Sequence, residues 1–222
     1  LSKKFRVISI NLPGYGGSQR LSDTTFKNLS AKICDFMSTL GVNQAHLCGQ
    51  SIGGMISLET TFLFPKFVKS LVLIATTSAF GGKDETFKER FISARLKPLD
   101  EGLAIQNLAK KFIPEIVGSR ATKFVKDQAI ESMSKVSSET YRDIIRCLVT
   151  FNRRNQIKDL DVPCCLISGD EDTNAPARTM KKMADIIPNS EYHNIVGACH
   201  LTNLEESERT NEILFNFYRG LT

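Results

Sequence analysis

Between residues 5 and 77 the chain alternates short apolar β-rich runs with segments of helical periodicity. Strands buried on both faces and separated by helices imply a parallel sheet with crossover helices. Residues 5–10 form a near-continuous apolar run, and Pro13, Gly14, Gly16 and Gly17 supply strong turn chemistry after it. Phe26, Leu29, Ile33, Met37 and Leu40 then recur at helical spacing, with Thr24 or Thr25 placed to cap the helix and Gly41 to close it. Residues 45–49 and 68–75 read as two further strands, on either side of a helix at 53–64 that Pro65 stops.

The pattern changes after residue 77. Residues 78–157 show helical faces, such as Phe87, Phe91 and Ala94 or Ile144, Leu148 and Phe151, and no strand signal. Beyond Pro163 the β pattern resumes at 164–168, followed by a helix at 176–187, a last strand near 191–196 and a final helix at about 206–218. The expected organisation is one α/β core in two parts, 1–77 and 158–222, interrupted by a helical insertion at 78–157. Roughly 80 residues exceed any ordinary loop. Because both ends rejoin one sheet, the insertion is expected to be a lid.

Composition narrows the class. With 222 residues, 41% apolar and 24% charged, the chain suits a single globular domain. No apolar run approaches the roughly 18 residues needed to span a bilayer. Cys34, Cys48, Cys147, Cys164, Cys165 and Cys199 show no paired spacing for zinc, and several lie in apolar runs. Reduced, buried thiols in a cytoplasmic protein are the expectation, with no metal and no cofactor. The net charge of +5 is spread without interleaved aromatics, which fits a solvated face and argues against nucleic-acid or membrane partners.

The run Gly49-Gln50-Ser51-Ile52-Gly53-Gly54 joins an expected strand to an expected helix. A serine hydroxyl is a poor nucleophile unless it is exposed, near a base and close to oxyanion donors. A tight strand-to-helix turn provides all three, and the helix N-terminus aims N–H groups at developing negative charge. Ser51 is therefore the candidate nucleophile and the N–H of Ile52 a candidate oxyanion donor.

Of three histidines, His46 and His193 lie inside strands and read as packed or surface residues. His200 follows the last strand, at the carboxyl edge where open α/β sheets place their sites, and is the candidate base. Asp170, Glu171 and Asp172 follow the strand at 164–168 at the same edge. Asp172 lies far enough out to turn toward the site, whereas Asp170 could instead brace loop N–H groups. The order serine, acid, histidine is that of α/β-hydrolases and not that of the two familiar serine-protease folds.

The chain resembles the α/β-hydrolase family along essentially its whole length. Asn11 to Ser18 is similar to the family's D-x-x-G-x-G-x-S turn, with Asn11 where aspartate is usual. Gly49 to Gly54 matches the nucleophile elbow, Gly169 to Pro176 the acid loop and Gly197 to Glu205 the histidine loop. The family pattern favours Asp172 as the acid. Within the family, Cys199-His200-Leu201-Thr202-Asn203-Leu204-Glu205 resembles the A-H-L-S-N-x-E run of 3-oxoadipate enol-lactonases, and residues 74–81, 91–103 and Tyr141 sit where that subgroup has similar residues. The resemblance also implies a stretch before Phe5, carrying the first three strands and a second oxyanion donor, that nothing here matches. With Leu1 and no initiator Met, a truncated chain lacking those strands is expected. Two sheet edges, at 5–10 and 45–49, would then stand without ladder partners unless they close on each other.

The resemblance implies a serine hydrolase acting on a small ester or lactone without a cofactor. Arg90, Arg95, Arg142 and Arg146 of the insertion are candidates to hold a substrate carboxylate. Ring-cleavage C–C hydrolysis is the alternative within the family. A non-catalytic binding protein or fragment on the same fold is the alternative outside enzymology.

Overall fold

The computed structural model describes residues 1–81 and 85–221. Helix α1 (Phe26–Thr39) begins where the Thr25 hydroxyl accepts the N–H of Asn28 at 3.2 Å. It ends where Gly41 takes φ +66°, which lets Val42 N–H reach the Met37 carbonyl at 2.9 Å and Gly41 N–H reach Ser38 at 3.0 Å. Strands β1 (Ala45–Gln50), β2 (Val68–Ile74), β3 (Cys164–Gly169) and β4 (Ser190–Ile195) are parallel and lie in sequence order. Helix α2 (Ile52–Leu63) crosses from β1 to β2, and helix α7 (Ala177–Ile186) from β3 to β4.

Alternation along the central strands feeds two cores. Leu71, Leu73, Cys164 and Leu166 point to one face, where they pack with Phe26 and Leu29 of α1, Met55 and Leu58 of α2 and Met180 and Met183 of α7. Val72, Ile74, Cys165 and Ile167 point to the other, against Ile213, Leu214, Phe217 and Tyr218 of the last helix, α9 (Ser207–Arg219). The short helix α8 (Thr202–Glu205) precedes it. Burial on both faces explains why these strands read as unbroken apolar runs.

Residues 5–10 are not the strand their composition suggests. They belong to no ladder, and Val7 and Ile8 are 55% and 41% exposed. A cavity of about 610 Å³ lies between this segment and β1, lined also by Ile33, Phe36 and Met37. A strand forms only where a neighbouring edge lies at about 4.8 Å in register, and apolar composition alone does not supply that edge. Phe5 is held instead by ring contacts with Tyr218 and His46, at centroid distances of 5.5 and 6.4 Å. The two edges do not close on each other, so β1 is an edge strand among the described residues.

The helical insertion carries α3 (Glu85–Asp100), α4 (Ile105–Ile116), α5 (Lys123–Ser134) and α6 (Ser138–Leu148). Residues 82–84 within it lie outside the described residues. Its two ends meet in a narrow neck, where Ala79 bridges Asn152, Phe80 N–H donates to Phe151 at 2.9 Å and Arg153 N–H to Ser78 at 2.7 Å. Its helix α6 rests on the 11–20 loop: the Thr140 hydroxyl donates to the Gly14 carbonyl at 3.2 Å, and Arg20 pairs with Asp143 at 2.6 Å. No helix among the described residues is long and apolar enough to cross a membrane.

The neck is anchored to α2 by a bidentate pair. Arg153 Nε and its terminal nitrogen meet the two oxygens of Glu59 at 2.6 and 2.7 Å, with the side chains only 20% and 10% exposed. Removing one partner of such a pair strands a buried charge. Arg153→Ala is therefore expected to destabilise the protein by about 3–5 kcal/mol in urea unfolding, and the double change Glu59→Met, Arg153→Met to recover most of that loss. Equal losses in both variants would show that the charge contributes nothing specific.

Candidate active site

Ser51 occupies the turn between β1 and α2 with φ 53° and ψ −120°, a conformation a residue bearing Cβ adopts only under restraint. The restraint is visible. Ser51 N–H donates to the Ile74 carbonyl at 2.9 Å, and the Ser51 carbonyl accepts from the Thr76 hydroxyl at 2.7 Å and from Gly54 N–H at 2.9 Å. A Cβ at Gly49 would stand 2.2 Å from the Gly53 carbonyl oxygen, and one at Gly54 would stand 2.8 Å from Thr76 Cβ. A Cβ at Gly53 would meet nothing within 4 Å.

The motif's glycines thus differ in kind, and the difference is measurable. Gly49→Ala must push backbone aside and is expected to lower stability by about 3 kcal/mol or more. Gly53→Ala, in the first turn of α2 with open space around it, is expected to leave the melting temperature unchanged or higher. Similar melting curves for both variants would contradict this account of the elbow.

His200 reaches the turn from beyond β4. Its Nε2 lies 2.8 Å from the Ser51 Oγ and its Nδ1 lies 2.9 Å from Asp172 Oδ2. The imidazole is 13% exposed and the Asp172 side chain fully buried. The other Asp172 oxygen accepts the N–H groups of Asn174 at 2.7 Å and Ala175 at 3.0 Å. Burial raises the pKa of this carboxyl, but the hydrogen bond and charge of His200 and the two backbone donors outweigh it, leaving the net shift downward. An ionised Asp172 can only accept, so Nδ1 carries the proton and Nε2 faces the serine hydroxyl as an acceptor. Ile52 N–H stands at the first position of α2, where the helix itself offers it no acceptor.

The other acids of the loop have separate tasks. Asp170 accepts the N–H of Gly197 at 2.6 Å, so it braces the histidine loop and not its own. Glu171 accepts the N–H and the hydroxyl of Ser119, both at 2.6 Å. His46 bonds Ser70 at 2.8 Å and His193 bonds Glu191 at 3.0 Å, both away from Ser51. Asn11 braces its own turn, donating to the Gly16 carbonyl at 3.3 Å. All six cysteines are free, and all but Cys48 are buried.

Sequence reasoning did not single out Gln50, whose amide donates to the His200 carbonyl at 2.7 Å, or Glu205, whose carboxylate lies beside the histidine loop. Gln50 stood inside the motif, and Glu205 closed the stretch that resembled the histidine loop. Cys165, Glu191 and His193 bring ligand atoms within 4.8 Å of one another, but they lie on β3 and β4, two and three strands away from β1, which leads into Ser51. Of the insertion's arginines, Arg142 pairs with Asp100, Arg95 lies over the Phe112 ring at 4.1 Å, Arg90 donates to the Thr86 carbonyl at 3.3 Å, and Arg146 is exposed on α6.

Comparison with known proteins bears on the family and the fold. Residues 1–207 match the family described as alpha/beta hydrolase fold. The chain is 23% identical over 234 residues to 3-oxoadipate enol-lactonase 1 of Acinetobacter baylyi, covering 100% of this chain and 81% of that protein. A thermophilic esterase from Thermogutta terrifontis superposes with a TM-score of 0.84 at 21% identity, covering 95% of this chain and 78% of that one. The enol-lactonase from Burkholderia xenovorans superposes with a TM-score of 0.83 at 20% identity, covering 94% and 78%.

Proposed function

Because this chain belongs to the alpha/beta hydrolase fold family, we propose that it is a serine hydrolase that cleaves a small carboxylic ester or lactone through Ser51, His200 and Asp172. The observation that carries this reading is the pair of hydrogen bonds, 2.8 and 2.9 Å, that run from Ser51 through His200 to Asp172. His200 Nε2 takes the hydroxyl proton as Ser51 Oγ attacks the acyl carbon. Ile52 N–H and the amino end of α2 stabilise the oxyanion. His200 then gives the proton to the leaving oxygen, and afterwards activates a water that releases the acyl group from Ser51. Asp172 stabilises the imidazolium formed in each half-reaction and stays ionised throughout.

The insertion at 78–157 acts as a lid over this site, resting on the 11–20 loop. No cofactor takes part. The enol-lactonase named among the relatives directs the substrate search toward lactones. Rates on a panel of simple aryl esters, saturated lactones and enol-lactones test the reading. Turnover of enol-lactones with the highest kcat/KM supports the lactonase assignment; turnover of aryl esters alone assigns a carboxylesterase; turnover of none rejects the hydrolase reading.

A further inference from the structure

The connection between α4 and α5 touches two of the three segments that carry the candidate triad, the acid loop and the histidine loop, although it belongs to the insertion. The carbonyl of Ile116 accepts the N–H of His200 at 3.1 Å. Gly118 N–H donates to the Glu205 carboxylate at 2.5 Å, and Ser119 donates twice to Glu171 in the acid loop. Glu205 also accepts the N–H groups of Cys199, at 3.2 Å to each oxygen, and of Leu201 at 3.0 Å. One carboxylate therefore holds the backbone on both sides of His200 and fastens it to the insertion.

Such a carboxylate is an expensive choice if packing were its purpose. Glu205 is partly buried and its described partners are all backbone N–H groups. Burial raises its pKa above the ordinary carboxylate value against the pull of those donors and with Asp172 nearby. Each of the donors lies on a segment that sets where the imidazole stands. The junction is also packed without slack: a Cβ at Gly118 would come within 2.6 Å of the Gly197 carbonyl and 2.8 Å of the Glu205 carboxylate.

We propose that Glu205 is a positioning residue, and that the turn at 116–119 is a strap through which the seating of the insertion sets the orientation of the His200 imidazole toward Ser51. This inference rests on the hydrolase reading given above. A misplacement of about 1 Å at the base reduces rate by up to about 10²-fold, which sets the size of the effect.

The test compares wild-type protein with Glu205→Ala, Glu205→Gln and Gly118→Ala. The readouts are steady-state kinetics on p-nitrophenyl acetate and the downfield proton NMR signal of the His200–Asp172 hydrogen bond. Folding is checked by circular dichroism. Glu205→Ala is expected to lower kcat by about 10- to 100-fold with KM within about twofold, and to broaden or lose the downfield signal. Glu205→Gln, which keeps one carbonyl acceptor in the same volume, is expected to recover part of both. Gly118→Ala removes no polar group and is expected to act in the same direction by displacing the strap. It also keeps the test open if Glu205→Ala fails to fold. Folded variants with the wild-type downfield signal and wild-type kcat would overturn the proposal. A wild-type protein inert to the ester would count against the hydrolase reading alone, since the NMR signal still reports whether the strap holds the imidazole.

Discussion

Replacing Ser51 with alanine is expected to leave a folded protein whose kcat on an ester is lower by on the order of 10⁶-fold, with KM little changed. The substitution removes one oxygen and keeps Cβ, so the strained turn, the bond from Ser51 N–H to Ile74 and the contacts of Gly49 and Gly54 persist. What disappears is the only atom of residue 51 placed 2.8 Å from the His200 Nε2. Because the three side chains are proposed to act as one unit, His200→Ala should fall to a similar floor, and Ser51→Ala with His200→Ala should fall no further. Initial rates on an activated aryl ester, with circular dichroism as the folding control, measure this directly. Multiplicative losses in the double variant would mean that the two residues act independently.

Asp172→Asn is expected to reduce kcat by about 10⁴-fold, and the structure gives the reason. One oxygen of Asp172 is committed to the N–H groups of Asn174 and Ala175, at 2.7 and 3.0 Å. An asparagine must keep its carbonyl oxygen there, so its NH₂ faces His200 Nδ1. The imidazole then accepts at Nδ1 and carries its proton on Nε2, where it cannot take the Ser51 hydroxyl proton. Geometry survives and the tautomer is wrong. Ionisation of Asp172 carries a stability consequence as well. Its folded pKa lies below the unfolded value, so the stability it contributes is present above the unfolded pKa and is lost as pH falls through the folded one. Acid titration of wild-type and Asp172→Asn proteins should show the wild-type advantage shrinking in that acidic window. An advantage that grows toward acid would reverse the assignment.

Much of the fold was legible because its signals are local. Thr25 and Gly41 delimit α1 by caps that need no distant partner. The central strands announce themselves because both faces are buried, which removes the alternation a half-exposed strand would show. Residues 5–10 carry the same kind of apolar run yet form no strand, since pairing depends on a neighbour and not on composition. Ser51 was legible for a similar reason: close approaches at Gly49 and Gly54 leave glycine as the residue that fits.

The acid loop shows where local reading ends. Asp170, Glu171 and Asp172 are chemically alike and adjacent, and each meets a different segment: Gly197, Ser119 and His200. Which acid faces the imidazole is settled by what the rest of the chain brings to the loop. Glu205 escaped notice because its partners are backbone N–H groups, which have no residue-type signature in a sequence. The insertion's arginines illustrate the converse, since Arg142 and Arg95 were notable by type but are engaged by Asp100 and by aromatic rings.

Covalent trapping reports most directly on whether the Ser51 hydroxyl is made nucleophilic by the His200 imidazole. Wild-type protein treated with a fluorophosphonate, digested and sequenced by mass spectrometry should carry one adduct, on Ser51, and His200→Ala should label at a small fraction of the wild-type rate. An adduct on another residue, or undiminished labelling of Ser51 in folded His200→Ala, would contradict the account.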